Sequence, residues 1–385
     1  MKFGIFSMPE HVPWENWTLS YDLDLEKIQT AELLGFDEFW IGEHHAGGYE
    51  NVPVPDYYIA KASALTSRIK LGTGTINLPY HDPFLVAERL AFLDHLTHGR
   101  LIAGFGGGGL PFDQALFGTA DTAAERFEEA LPVVAQLLDS TEPFSHDGEF
   151  WQFKDRELQV RPLQEPLPIA VAGLRSPGKY ELCGRNGYGA MSMYYVRPDG
   201  PDDGPLTLRT QGEAIDRGAR EVGRDPLEAR REWRILREVY VAESKQSAIE
   251  ELREAARRSY DYIIGLGAGA LLKADPSESD DVLTLEYLVE NLPMIVGSPE
   301  DCIRQIHELR EQVGSFGTLV LNDRNWVTAD KWRRSNELFM RYVAPAFRRS
   351  EEQVRRRRLV DGVMEGSEIW PPQWWTDRPV VADVD

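Results

Sequence analysis

A (β/α)8 barrel is the fold that this 385-residue sequence predicts. Three observations lead there. Apolar strand-like runs alternate with helical stretches along most of the chain, the pattern of a parallel α/β fold. Eight strands can be placed, near residues 2–7, 37–42, 69–76, 100–106, 168–172, 188–193, 234–242 and 316–322, where six would have suggested a doubly wound sheet. The second of them, Phe39-Trp40-Ile41, empties into Gly42-Glu43-His44-His45. A buried parallel strand needs a continuous apolar run, so polar groups gather where it stops, and in α/β enzymes that carboxyl end is where ligands bind.

The elements follow in order. Met1 to Phe6 enters directly as a strand, without the charged and apolar regions of a signal peptide. Leu25, Ile28, Leu33 and Leu34 give the first helix an irregular apolar face. The third strand ends in Leu71-Gly72-Thr73-Gly74-Thr75-Ile76-Asn77; its glycines suit close backbone approach to something flat or to a neighbouring strand. Asp82 as N-cap and Pro83 at the first helical position start a helix with Val86, Leu90 and Leu93 on one face. The fourth strand runs into Gly106-Gly107-Gly108-Gly109, after which Leu110-Pro111-Phe112 is not expected to open a helix. Phe127, Leu131, Val134 and Leu138 form the next stripe, with Thr122 and Glu125 as a capping box.

Residues 141–166 interrupt the alternation: Asp147-Gly148-Glu149 between Phe144 and Trp151 reads as an inserted hairpin. The fifth strand, Pro168 to Ala172, leads through Arg175 to Ser176 as N-cap and Pro177 as first helical residue. Residues 194–206 and 265–296 read as long loops able to cover a barrel mouth. Ser298-Pro299-Glu300 opens a helix carrying Ile303, Ile306 and Leu309. The barrel is placed at residues 1–347. Residues 348–385, with the basic run Arg355 to Arg358 and Trp370, Trp374 and Trp375 among prolines, are expected to form an arm.

Composition narrows the class. Hydrophobic content of 42% describes a soluble globular protein, and no apolar run approaches the length needed to cross a bilayer. Two cysteines cannot form a disulfide framework, which favours a reducing cytoplasm. A net charge of −21 argues against a nucleic-acid partner, and it requires any phosphate site to be locally cationic or built from backbone donors.

Candidate chemistry clusters at the strand ends. His44 can exchange protons near neutral pH. The glycines at 106–109 leave a gap that a planar ligand could fill. Exposed amides at the Ser176-Pro177 helix start, with Arg175 and Lys179, could bind phosphate, and Arg126 could add a second cation. A simple capped helix and a flexible glycine loop account for the same residues. There is no Gly-x-Ser-x-Gly elbow and no Walker A sequence, and neither Cys183 and Cys302 nor His307-Glu308-Leu309-Arg310-Glu311 has metal-ligand spacing, so no metal site is expected. Nothing in the chain supplies redox power, so a borrowed organic cofactor is the economical inference.

Phe36 to His45, Gly72-Thr73-Gly74 followed by Pro79-Tyr80-His81-Asp82-Pro83, and Leu93-Asp94-His95-Leu96-Thr97-His98-Gly99-Arg100 resemble the bacterial luciferase-like flavin monooxygenases, and among them the limonene-monooxygenase-like members. The resemblance extends to Ser176-Pro177, Gly297 to Asp301 and Phe316-Gly317, and covers about residues 1–347. It implies a TIM barrel that binds reduced FMN from a separate NAD(P)H-dependent flavin reductase. With O2 it would oxygenate a small to medium apolar organic substrate through a flavin C4a-(hydro)peroxide. Hydroxylation, epoxidation and Baeyer–Villiger insertion all stay open. Carried over by position, His44 would stand beside the flavin, to stabilise the hydroperoxide or move a proton to it. Thr73, Gly74, Thr75 (where the family often carries a non-proline cis peptide), Asn77 and Ala172 would contact it, and Gly106, Gly107 and Gly108 would line its edge. Arg126, Ser176, Gly178 and Lys179 would hold the phosphate. Trp40, Phe105, Tyr194 and Tyr195 are candidates for a dry wall, with core packing the expectation for Trp40. One departure is that luciferase has an arginine in the segment corresponding to Gly107-Gly108. A homodimer is also implied. The alternatives are an F420-dependent oxidoreductase on the same barrel, disfavoured by Glu43-His44-His45, and a non-catalytic flavin-binding barrel.

Overall fold

The computed structural model describes residues 1–172, 176–199, 207–267, 269–275 and 277–348. Arg175, the end of the 194–206 loop and the arm beyond Arg348 therefore lie outside the described residues. The chain divides into Met1–Ala344 and Pro345–Asp385, and the first unit is the barrel.

Eight parallel strands close on themselves: β1 (Lys2–Ser7), β2 (Glu38–Ile41), β3 (Lys70–Thr73), β4 (Leu101–Gly106), β5 (Ile169–Ala172), β6 (Gly189–Ser192), β7 (Trp233–Val241) and β8 (Thr318–Asp323). Each pairs with its sequence neighbour; β1 also pairs with β8, Lys2 opposite Thr318 and Ser7 opposite Asp323. Seven fall within two residues of the positions read from the sequence; the third, read as 69–76, stops at Thr73. Ile76–Asn77 adds a short pairing to β4, and Ile295–Gly297 extends the far end of β7.

Alternation along the strands fills the interior with Phe6, Trp40, Ile102, Ala170, Met191, Leu236 and Val320. Trp40 is completely buried there, as core packing requires, and Phe105 is buried with it. Glycines of the third and fourth strands make room for this indole. A Cβ at Gly72 would stand 2.3 Å from Trp40 Cε3, and one at Gly104 would stand 2.9 Å from Cζ3. The flat neighbour that the glycine pattern called for is thus a side chain of the protein itself.

Asp82 caps the helix Pro83–Leu96 by accepting from the Phe84 and Leu85 amides at 2.9 and 3.1 Å. Ser298 and Asp301 form a reciprocal capping box on Pro299–Val313. The inserted hairpin is present as antiparallel Phe144–Asp147 and Gln152–Arg156. Glu129 anchors it by accepting from the amides of Glu149, Phe150 and Trp151 and from His146 Nε2.

Four expectations need correction. Thr122 makes no side-chain capping bond; its hydroxyl accepts from Arg126 Nε at 3.1 Å instead, so the Thr122–Glu125 capping box does not form. Leu110-Pro111-Phe112 does open a helix, Pro111–Phe117, because proline at the first position fits a helix start without a polar cap. Leu33 is 79% exposed, since the buried face of Trp17–Leu34 runs through Leu25, Ile28 and Ala31. Residues 265–296 are not all loop: they include the helix Leu285–Asn291 and the strand Ile295–Gly297. Among the described residues, no helix is long and apolar enough to cross a membrane.

Candidate active site

β2 delivers Glu43, His44 and His45 to the carboxyl end of the barrel, and successive side chains diverge. His44 turns to Asp113, whose Oδ2 accepts from Nδ1 at 2.8 Å. The same carboxylate takes the His45 amide at 3.0 Å, so one acid fixes both ring and backbone. Because the carboxylate can only accept, Nδ1 carries a hydrogen, and Nε2 is the atom where a second proton comes and goes. Nε2 faces Glu50 Oε2 at 3.8 Å. Burial opposes charge on this imidazole, but Glu50, Asp113 and Glu43 outweigh it and raise its pKa above the ordinary histidine value. Burial also disfavours charge on Asp113, yet the bond from His44 wins and holds its carboxyl below the usual range. The arrangement is an acid-oriented imidazole whose charged form is favoured relative to an ordinary histidine.

Glu43 and His45 turn the other way. Glu43 Oε1 accepts from His45 Nε2 at 3.0 Å and from His81 Nε2 at 2.9 Å. These three groups offer ligand-type atoms within 4.8 Å of one another, a convergence hidden in the sequence because His81 lies on a different strand end. The two imidazole bonds offset burial and keep the Glu43 carboxyl ionised below its ordinary range. Asn77 closes the group, donating from Nδ2 to the Glu43 carbonyl at 3.2 Å and accepting from the Thr75 hydroxyl at 3.2 Å.

The glycine-rich strand ends lie beside this cluster. The Gly74–Thr75 peptide bond is cis. Thr73 is fully buried, and its hydroxyl bridges to the Gly104 amide and carbonyl, both at 2.8 Å, so it ties β3 to β4. A Cβ at Gly106 would collide with the Thr75 hydroxyl at 2.2 Å, and one at Gly108 with the Tyr80 hydroxyl at 2.3 Å. That Tyr80 hydroxyl is buried without a hydrogen-bond partner. Ala172 is buried at the end of β5 among the interior side chains.

Gly107, Phe127 and Lys179 meet across the next gap. A Cβ at Gly107 would touch Phe127 at 4.0 Å, and Lys179 Nζ sits 4.8 Å over the same ring. Ser176 is the N-cap of Pro177–Asn186 but makes no capping bond, and nothing lies within 4 Å of a Cβ at Gly178. Lys179 donates its amide to the Ser176 carbonyl at 3.3 Å, and its ammonium lies 4.0 Å from Glu128 Oε1. Arg126 is adjacent in sequence but is turned toward the hairpin, stacked over Phe150 at 4.6 Å and Trp151 at 5.5 Å.

A second charged group, unforeseen from the sequence, occupies the opposite rim. Arg324, just past β8, donates to Glu238 at 3.1 Å and Glu10 at 3.2 Å, faces Glu50 at 3.8 Å, and lies 4.6 Å over the Tyr194 ring. Burial pushes Glu10 up to about 7 despite Arg324, and raises Glu238 as well. These acids lie far apart in sequence, so only the closed barrel shows that three of them face one guanidinium.

Comparison with known proteins agrees with the architecture. The family model for luciferase-like monooxygenases matches residues 1–315. The 4-hydroxyprotoasukamycin monooxygenase of Streptomyces nodosus subsp. asukaensis is 36% identical over 92% of this chain and 94% of its own length. Limonene 1,2-monooxygenase of Rhodococcus erythropolis is 33% identical over 90% and 87%. The oxygenating constituent of 3,6-diketocamphane monooxygenase of Pseudomonas putida, solved with FMN, shares the fold at a TM-score of 0.74 and 24% identity, covering 90% of this chain and 98% of that one.

Proposed function

The chain belongs to the luciferase-like monooxygenase family, and from that membership and the setting of His44 we propose that it is the oxygenase of a two-component, FMN-dependent system. It would use O2 to oxygenate an organic substrate. The single observation that carries this reading is the His44–Asp113 pair at the barrel mouth, an acid-oriented imidazole beside glycine-walled strand ends.

The residues fit a flavin mononucleotide. Gly106 and Gly108 leave no room for side chains, and the Tyr80 hydroxyl beside them has a hydrogen-bonding capacity that nothing among the described residues uses. Ser176, Gly178 and Lys179 would hold the phosphate at the helix start with one ammonium, with Arg126 turning in from the hairpin. Bound and reduced, FMN supplies the two electrons that let one atom of O2 enter the substrate and the other leave as water. His44 would hold a proton at Nε2 for delivery to the developing oxyanion, and Asp113 would keep the ring aimed. Reduced FMN would come from a separate NAD(P)H-dependent reductase, and the enzyme would act as a homodimer.

Oxygen uptake tests this. With photoreduced FMN and an apolar substrate panel, uptake should yield an oxygenated product, and reduced F420 should not substitute. Substrate turnover with F420 alone would overturn the assignment. His44→Ala should keep FMN binding but lower product formation roughly 100-fold and divert oxygen to hydrogen peroxide; an undiminished product yield would remove His44 from the chemistry. Lys179→Ala and Arg126→Ala should each weaken FMN by about 1.5–3 kcal/mol in a fluorescence titration.

A further inference from the structure

A groove of about 710 Å³ opens at the mouth of the barrel between the loop after β2 and the helix Lys245–Gly265. Its wall is aromatic and apolar: Tyr49, Phe112, Tyr262 and Leu266, with Gly47 and Gly265 between them. Tyr49 and Tyr262 stack with ring centroids 4.6 Å apart and planes 11° from parallel, which makes one broad flat face. Opposite, Phe112 leaves 49% of its surface uncovered.

Two residues of the groove wall are chain neighbours of the acids that flank His44. Phe112 directly precedes Asp113, which holds His44 Nδ1. Tyr49 directly precedes Glu50, which faces His44 Nε2 at 3.8 Å, and Tyr262 donates to that same carboxylate at 3.4 Å. Both acids that flank the imidazole thus hang from the groove wall. The loop is fitted tightly on this side: a Cβ at Gly47 would stand 2.8 Å from the Tyr262 hydroxyl, and Gly47 has φ of +91°, which glycine adopts without strain. The outer rim carries Glu254, Arg257, Arg258 and Asp261, two charges of each sign, so it does not select an ion.

We propose that this groove is an outer substrate subsite, and that the substrate is an elongated neutral molecule. An aryl or conjugated tail lies between the Tyr49–Tyr262 face and Phe112 while the reacting end reaches His44. The volume suits it, since ligand sites of this kind span about 300–1,000 Å³ and bury most of their ligand against apolar and aromatic side chains. The inference rests on the monooxygenase reading only for the identity of the reacting end.

The test is a calorimetric titration of the full chain, with oxidised FMN present, using cyclohexanone and 4-(6-phenylhexyl)cyclohexanone as probes. The tailed ketone should bind the unaltered protein at least 10-fold more tightly. Gly265→Trp fills the groove from a position where a Cβ meets nothing within 4 Å, and Phe112→Arg places a charge in its wall. Each should abolish the tail's advantage and leave the binding of cyclohexanone within 2-fold. A tailed ketone that fails to bind, that binds no better than cyclohexanone, or whose advantage survives in both variants would overturn the proposal. Melting curves establish that each variant is folded, and either variant alone suffices. The titration needs neither oxygen nor reduced flavin, so loss of oxygenase activity and loss of this subsite are read separately.

Discussion

The barrel buries an arginine–glutamate contact at each end, and the two are built on opposite principles. At the amino end, Arg234 meets Glu38 through two parallel bonds, Nε to Oε2 and Nη2 to Oε1, both 2.8 Å. Trp40 Nε1 adds a third donor to Oε2 at 3.1 Å, and the guanidinium lies 5.2 Å over the Trp40 ring. Inside the barrel the charges match one to one, and only the half-exposed Glu232, 3.4 Å from Arg234 Nη2, adds a second acid at the edge. Burial alone would raise Glu38, but Arg234 prevails and holds it below the ordinary carboxyl range. At the carboxyl end, Arg324 faces Glu10, Glu50 and Glu238, more acid than it can neutralise. Burial, with Glu50 adding to it, raises Glu10 to about 7 against the pull of Arg324. A matched pair serves the closed floor, and an unmatched group of acids stands where chemistry is expected.

The comparison breaks first at the floor. Arg234→Met leaves Glu38 buried without its counter-charge and should cost about 3–5 kcal/mol in urea unfolding. Adding Glu38→Leu should recover most of that, because the lone charge, not the lost attraction, carries the penalty. A single variant that loses under about 1 kcal/mol would mean the pair is not desolvated as described.

These two ends differed in how far the sequence revealed them. The eight strands were legible because a parallel strand buried on both faces must be continuously apolar, and runs such as Pro168 to Ala172 have no other simple reading. The histidine pair was legible for the complementary reason, that polarity begins where such a run stops. Asp113 was not, because its helix opens without a polar cap after four glycines, and the loop reading concealed it. Glu10, Glu50 and Arg324 were not legible either, since each is an ordinary charged residue until barrel closure sets β8 beside β1. The flavin-type glycines carried mixed information: Gly72 accommodates Trp40, whereas Gly106 and Gly108 abut the site.

Glu10 sharpens the comparison at the mouth. Its pKa is raised from 4.5 to about 7 in the folded protein, so its stability contribution is complete below about pH 4.5 and is lost as pH rises through 7. Glu10→Gln should remove that slope and leave the protein on the order of 1–3 kcal/mol more stable at pH 8 than the unaltered chain. Urea midpoints measured from pH 4.5 to 8.5 decide it: two parallel curves would place the proton on another acid. No comparable slope should arise from Glu38, whose depressed pKa keeps it ionised throughout this window.

Asp113 tests whether the mouth's surplus of negative charge has a use. Against the cost of burial, Glu50, Asp113 and Glu43 raise the pKa of His44 above the ordinary histidine value, and activity that needs the Nε2 proton should fall as pH rises through that elevated value. Asp113→Asn keeps one oxygen to accept from Nδ1, so the ring stays aimed, while the acceptor for the His45 amide and one negative charge are removed. The alkaline limb of kcat/KM should then move to lower pH by about one unit, with the rate on the acid side largely preserved. The sign is fixed by the charge: less negative potential favours the neutral imidazole and releases the proton earlier. NMR titration of the His44 ring should shift by the same amount, which separates an electrostatic effect from simple misplacement of the ring. A limb that stays put while the His44 resonance moves would assign the delivered proton to a different group, and Glu10, protonated to about pH 7 behind Arg324, would be the next one to replace.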